Sequence, residues 1–206
     1  MWEERYAAKE YAFGKLPNDF LLEHLDKIAS ENNTNARVLC LAEGEGRNAV
    51  HLARLGFDVV AVDSSSAGML KAQKLAAEHN VSIKTVVADL AEFDFEHEAY
   101  DAVVSIFCHL PVALRQQVHS KVVSALKPGG LFLLEAYTPD QLKFKTGGPA
   151  VAELTVSLDE LLDEVGGLEV VFAEQLEREV IEGLYHTGMG AVVQLIGKKV
   201  DQSQSL

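Results

Sequence analysis

The sequence predicts an α/β fold built on a Rossmann-like parallel sheet with helices on both faces, and three observations carry that expectation. Short apolar runs at 38–42, 59–62, 81–87, 102–108 and 131–136 alternate with stretches of helical periodicity. A glycine-bearing break, Glu43-Gly44-Glu45-Gly46, joins the first run to the helix after it. An acid, Asp63, closes the second run. Strand, glycine turn, helix and strand make a βαβ unit of about 30 residues, with its loops at the strands' carboxyl ends. Crossovers of this kind set successive strands parallel.

With 206 residues and 48% hydrophobic content the chain can build one large core, so a single domain over 1–206 is expected. No apolar run reaches the roughly 18 residues of a membrane span. The opening MWEERYAAKE is charged and lacks an apolar signal core, which makes the cytoplasm the expected compartment. A formal charge of −13 repels phosphate backbones and anionic lipid, leaving small molecules or proteins as partners. Cys40 and Cys108 fall inside apolar runs and read as small buried thiols; no metal-ligand spacing occurs.

In chain order, residues 1–16 carry Trp2, Tyr6, Tyr11 and Phe13, which suits either an amphipathic helix packed on the domain or an aromatic cap over the crevice. Pro17-Asn18 starts a helix with Leu21, Leu25 and Ile28 on one face, and Asn32-Asn33-Thr34-Asn35 is a polar loop ending it. After the glycine break, Ala49, Leu52, Ala53 and Leu55 repeat at helical spacing up to a C-cap at Gly56. Ser64–Ser66 caps a helix with Met69, Ala72 and Ala76 toward the core. The third strand, 81–87, ends at Ala88-Asp89-Leu90, and 91–100 is an acidic loop. After the fourth strand, 102–108, come His109-Leu110-Pro111, with Pro111 in the first turn of a helix burying Leu114, Val118 and Val122.

Lys127-Pro128-Gly129-Gly130 reads as a turn before the fifth strand, and there the alternation stops. Residues 138–149, with Gly147-Gly148-Pro149, read as a lid-like loop and 158–165 as a short helix. Two closing strands, 169–180 and 191–198, are joined by a connection holding Gly183, Gly188 and Gly190. The tail, 201–206, reads as disordered.

Glycines at 44 and 46 let the backbone bend sharply and let a ligand approach closer than a Cβ permits. Asp63 faces the same crevice, where its two oxygens can accept both hydroxyls of a ribose. Asp89, ending the third strand, lies beside it and suits the amino hydrogens of an adenine ring. Gly44-Glu-Gly-Arg-Asn-Ala49 also satisfies the G-x-G-x-x-A dinucleotide fingerprint, so an NAD(P)-dependent oxidoreductase is an alternative. Against it, the length leaves no second domain for substrate, and no Tyr-x-x-x-Lys pair follows the fifth strand.

On these residues the chain resembles a class I S-adenosylmethionine-dependent methyltransferase. Leu41 to Asn48 match the glycine loop, Ala61-Val62-Asp63 the ribose acid, Ala88-Asp89-Leu90 the adenine contact, and Lys127 to Gly130 the turn before the fifth strand. The resemblance covers nearly the whole chain. It implies a seven-stranded sheet whose antiparallel last strand lies within it, and S-adenosyl-L-methionine as cofactor. Trp2 to Tyr6, Tyr11 to Gly14 and Pro17 to Leu21 resemble the amino-terminal segment of the tellurite-resistance (TehB-like) and thiopurine methyltransferase-like groups, where it folds over the cofactor. The implied cofactor contacts are Tyr11, Phe13, Gly14, Glu43, Gly44, Gly46, Asn48, Asp63, Ser64, Asp89, Leu90 and Ile106, with Glu43 toward the methionine ammonium. Two departures stand out: Cys40 replaces the usual first-strand acid, and Ala42 the first glycine of the loop.

The implied reaction is direct displacement at the methyl carbon of a sulfonium, which chiefly needs alignment and a dry pocket. A thiolate or a reduced chalcogen or arsenic oxyanion needs no base; a hydroxyl or ammonium does. His109 is the candidate base. Tyr6, Tyr137 and His186 are candidates for the acceptor pocket, Glu135 can face the acceptor, and Arg178 can pair with an anionic substrate or, the preferred reading, with neighbouring acids. A third reading is a non-catalytic methyltransferase-like subunit that binds a partner protein. Cys40 and Ala42 fit it; retention of Gly44, Gly46, Asp63 and Asp89 speaks against it.

Overall fold

The computed structural model describes residues 2–28 and 35–201; most of the polar loop expected at 32–35 and of the tail expected at 201–206 lies outside the described residues. Its strands are β1 Arg37–Leu41, β2 Asp58–Asp63, β3 Lys84–Val87, β4 Tyr100–Ile106, β5 Leu126–Tyr137, β6 Leu168–Glu182 and β7 His186–Lys199. They form one sheet in the order β3-β2-β1-β4-β5-β7-β6. The first five pair in parallel, and β7 runs antiparallel between β5 and β6. This is the expected Rossmann-like sheet with its antiparallel last strand inside.

The helices are α1 Trp2–Tyr6, α2 Asp19–Glu23, α3 Leu25–Ile28, α4 Arg47–Arg54, α5 Ser66–Glu78, α6 Val112–Ala125 and α7 Leu158–Glu164. Side chains alternate across each strand, so the sheet feeds two cores. Leu39, Leu41, Val103 and Phe132 pack with Val118 and Val122 of α6 and Leu161 of α7. Val38, Cys40, Ala61 and Val104 pack with Leu52 of α4, Met69 of α5 and Leu21 of α2 on the other face. Burial on both faces is why the inner strands read as unbroken apolar runs. The strand order reverses at β1, between β2 and β4, and a crevice opens there at the carboxyl ends.

Several boundaries differ from expectation. The helix expected over 17–28 is two short ones separated at His24, with Asn18 capping the first. β3 spans only Lys84–Val87, the stretch over which it pairs with β2. β4 stops before Phe107, whose φ of +52° ends the extended backbone, so Cys108 lies beyond the strand. Lys127 to Gly130 is not a separate turn: it belongs to β5, where Gly129 at φ +80° and a register slip between Tyr100 and Ala102 make a bulge. The closing hairpin is tighter than expected, leaving Gly183 in the connection and Gly188 and Gly190 within β7. The loop over 138–149 is tied down rather than lid-like. Gln141 Nε2 donates to the Gly147 carbonyl, and Thr146 Oγ1 to the Met189 carbonyl.

Candidate cofactor and acceptor site

A pocket fills the crevice. Its walls are Ala42 and Glu43 after β1, Asp63 and Ser64 after β2, Ala88 to Leu90 after β3, and Ile106 to Leu110 at the end of β4. Glu45, Arg47 and Asn48 come from the glycine loop and α4, His186 from β7, and Trp2, Tyr6, Phe13 and Gly14 from the amino-terminal segment.

The loop after β1 turns through left-handed backbone at Ala42 (φ +46°), Gly44 (φ +63°) and Gly46 (φ +91°). Gly46, at the N-cap of α4, has no side chain to cap with. Glu43 substitutes: its Oε1 accepts the N–H groups of Asn48 and Ala49, both at 2.9 Å. Burial pushes the Glu43 carboxyl up to about 7, although those N–H bonds and Arg47 pull it down. Burial, with the nearby Glu43 carboxyl, holds the Cys40 thiol well above the usual range.

The two glycines make room for the protein itself. A Cβ on Gly44 would lie 2.6 Å from the Tyr6 hydroxyl, and one on Gly46 would lie 2.6 Å from Ala72 Cβ. The first glycine admits the aromatic segment above the loop and the second admits α5. Asp63 Oδ2 accepts Gly44 N–H at 2.9 Å, and its Oδ1 accepts Ser65 N–H at 2.8 Å. One bond to each oxygen leaves acceptor capacity on both. Burial raises the Asp63 pKa, against those same N–H bonds.

The amino-terminal segment crosses the pocket and is fastened on both sides. Glu3 accepts from Ser65 Oγ (2.5 Å) and Ser66 Oγ (2.7 Å) at the start of α5, bonds that hold its carboxyl below the usual range. Ala12 N–H donates to Glu45 Oε2 (2.7 Å), whose other oxygen takes Lys71 Nζ at 2.6 Å. Across the pocket, Leu184 N–H donates to the Ala12 carbonyl (2.9 Å), and the Arg5 guanidinium sits between the rings of Trp2 and Tyr185. Of the two readings of this segment, the cap matches its position; only α1 is helical.

Asn18 ends the segment in a buried polar network. Its N–H donates to Asn48 Oδ1 (2.9 Å), and its Nδ2 donates to Glu135 Oε2 (2.6 Å) and Glu182 Oε1 (2.8 Å). Glu135, wholly buried, also takes a two-pronged bond from Arg178, both arms at 2.7 Å, and one from Gln194. Glu182 takes Arg47 Nη2 at 2.6 Å. Two carboxylates and two guanidiniums balance, as burial demands. The carboxyl of Glu182 is pushed down to about 2: the nearby His186 ring, with Nδ1 at 3.6 Å, the Arg47 charge and the hydrogen bonds from Arg47 and Asn18 together outweigh its burial.

The far end of the pocket is aromatic. Phe107 stacks on Tyr137 at 4.5 Å between centroids, His109 stacks on the same ring at 5.6 Å, and His186 meets Phe107 and Tyr137 edge-on. Phe13 closes on His186 at 4.5 Å. Burial pushes His109 down to about 3 and lowers His186, so both rings are neutral near pH 7; burial lifts the Cys108 thiol to about 12.

Of the expected residues, Phe13, Gly14, Glu43, Asn48, Asp63, Ser64, Asp89, Leu90 and Ile106 line the pocket, with Tyr6, His109 and His186. Gly44 and Gly46 are not among the lining residues. Tyr11 turns away, its hydroxyl donating to the Lys71 carbonyl, and Tyr137 lies behind Phe107. Glu135 and Arg178 satisfy each other instead of facing an acceptor. Sequence reasoning named Trp2 only as one ring of an aromatic cap and Ala42, Glu45, Arg47 and Ala88 only within motifs, and it did not single out Phe107, Cys108 or Leu110 as pocket residues. Ala88, Cys108 and Leu110 flank residues that it did, and Phe107 lay hidden in an apolar run.

Residues 38–130 match the family model described as a methyltransferase domain. A glycine/sarcosine N-methyltransferase from Halorhodospira halochloris is 30% identical over 126 residues, which cover 59% of this chain and 45% of that protein. The chain spans less than half the length of the first curated relatives it matches. Among solved structures, TehB from Haemophilus influenzae superposes with a TM-score of 0.71 at 20% identity, over 96% of this chain and 65% of that one. The N-methyltransferase NodS from Bradyrhizobium japonicum WM9, in complex with S-adenosyl-L-homocysteine, gives 0.70 at 13% identity, over 97% of each chain. The fold is that of the class I methyltransferases, and the tellurite-resistance group is one structural neighbour among several.

Proposed function

We infer that this chain is a class I S-adenosylmethionine-dependent methyltransferase acting on a small-molecule acceptor. The observation that carries the reading is the pocket at the β1/β4 reversal, where Asp63 keeps acceptor capacity on both oxygens within a matched methyltransferase domain. The residues present fit the cofactor. Asp63 would hold the ribose hydroxyls, Asp89 and Leu90 the adenine edge, and Ile106 and Ala88 its faces. Trp2, Tyr6 and Phe13 would exclude water. S-adenosylmethionine supplies a methyl group on a sulfonium, a good leaving group, so the chain contributes alignment and dryness rather than a covalent step.

The lining also bears on the acceptor. His109, neutral and with a pKa near 3, is a poor proton acceptor at neutral pH, which favours a nucleophile that needs no base, such as a thiolate. Arg47 is the one cationic side chain among the described lining residues, and it is engaged by Glu182 and the Leu16 carbonyl. A metalloid oxyanion would meet no unengaged cation there, so thiols are the better class. The dinucleotide-oxidoreductase alternative loses its support in the sheet, where an antiparallel β7 sits between β5 and β6.

Transfer of label from methyl-tritiated S-adenosylmethionine to a panel of thiols, phenols and amines tests the reading. Label moving to a thiol, with S-adenosylhomocysteine released, is expected. Cofactor binding without transfer to any member would favour the partner-binding subunit instead.

A further inference from the structure

We propose that the aromatic end of the pocket is a stacking subsite in which Phe107 selects planar, π-bearing acceptors over saturated molecules of the same size. This rests on the methyltransferase reading and narrows its acceptor class. The backbone gives the first indication. Phe107 holds φ +52°, a conformation that bulky residues adopt only where their surroundings impose it. Here the Phe107 N–H donates to the Glu135 carbonyl at 2.8 Å, anchoring the turn directly after β4. The strained turn carries the ring to the pocket wall instead of continuing the strand.

The packing gives the second indication. Phe107 and His109 both stack on Tyr137, with interplanar angles of 24° and 17°, and lie 6.2 Å apart. Both line the pocket while Tyr137 does not, so Tyr137 backs a platform two rings wide. His186 fixes the edge of Phe107 at 5.0 Å and 75°. An aromatic ring backed on one side and held at its edge offers its remaining face to a flat ligand. Burial keeps both histidines of this wall neutral, so the platform carries no charge of its own to orient a ligand and the ring face is what it offers.

The test uses the whole chain saturated with S-adenosylhomocysteine, after calorimetry has established that this ligand binds. Failure at that first step would sink the cofactor reading and is thereby separated from failure of the subsite. Phenol against cyclohexanol, and thiophenol against cyclohexanethiol, are then titrated by ligand-observed NMR. The planar member of each pair is expected to bind roughly three- to tenfold tighter. Phe107→Leu should bring the ratio close to one with S-adenosylhomocysteine affinity kept within about twofold, and Phe107→Tyr should restore it. Should the leucine variant not fold, Phe107→Asn, which suits left-handed backbone, replaces it. Equal binding within each pair, no binding of either planar probe, or discrimination that survives loss of the ring would overturn the proposal.

Discussion

Replacing Asn18 with alanine is expected to cost about 4 kcal/mol of stability. Its Oδ1 accepts Leu21 N–H as the N-cap of α2, a cap worth about 1 kcal/mol. Its two Nδ2 hydrogens go to Glu135 and Glu182, and a hydrogen bond to a buried charged group is worth about 1.5–3 kcal/mol. The lower figure applies, because Glu135 keeps Arg178 and Gln194, and Glu182 keeps Arg47. For a domain of this size the loss lowers the melting temperature by about 8–16 °C. Asn18→Ser keeps a cap and loses only the two carboxylate bonds, so about 3 kcal/mol should go. Asn18→Asp keeps the cap but sets a third carboxylate against the other two, and should be the least stable at pH 7. Urea unfolding followed by circular dichroism reads all three. A serine variant within about 1 kcal/mol of the parent, or an aspartate variant no worse than the serine, would refute the hub role.

Gly46→Ala should destabilise by about 2–4 kcal/mol, since it combines left-handed backbone with a Cβ 2.6 Å from Ala72; a melt unchanged by the substitution would contradict this. Ala42→Gly should stabilise by about 0.5–1 kcal/mol in the same assay, because relief of φ +46° exceeds the added chain entropy; a lower melting temperature would show that the Ala42 methyl matters more. Stability should also depend on pH in two regimes. Glu182, held near 2 against 4.5 unfolded, stabilises fully above about 4.5 and loses that contribution as pH falls toward 2. His109, near 3 against 6.5, loses its contribution in the same direction as pH falls from 6.5 to 3. Glu43, raised to about 7, acts oppositely, because the folded protein takes up that proton first as pH falls from 7 to 4.5. His109 and Glu43 therefore offset one another between 6.5 and 4.5, which leaves the decline there to His24, His51 and His186, all lowered by burial. Between 4.5 and 3, Glu182 and His109 together should add a fall of roughly 2.7 kcal/mol per pH unit, two protons' worth. A fall as steep between 6.5 and 4.5 as below 4.5 would show that Glu43 is not buried as described.

Much of the central βαβ unit was legible because its determinants are local. A buried parallel strand reads as an apolar run, a tight turn demands glycine, and an acid ending a strand faces the crevice. Partners far along the chain were not legible. Asn18 reads only as a helix cap, although its side chain meets Glu135 and Glu182, 117 and 164 residues away. Gly44 and Gly46 signal that something approaches the backbone without saying what; here it is Tyr6 and Ala72. Phe107 sits in a run that satisfies strand patterning, and nothing local marks that its backbone turns left-handed, at φ +52°, directly after its N–H pairs with Glu135 on β5. The same holds for Lys127 to Gly130, where pairing across to β4 converts an expected turn into a bulged strand.

Calorimetric and thermal-shift titration with S-adenosylhomocysteine, with NADH as the competing ligand and Asp63→Ala as control, tests the cofactor assignment most directly. At about 100 times its dissociation constant the ligand should add roughly 2.7 kcal/mol and raise the melting temperature by about 5–10 °C. The rise should be absent with NADH and largely lost in Asp63→Ala. A shift with NADH alone, or none with S-adenosylhomocysteine, would contradict assignment of the pocket to S-adenosylmethionine.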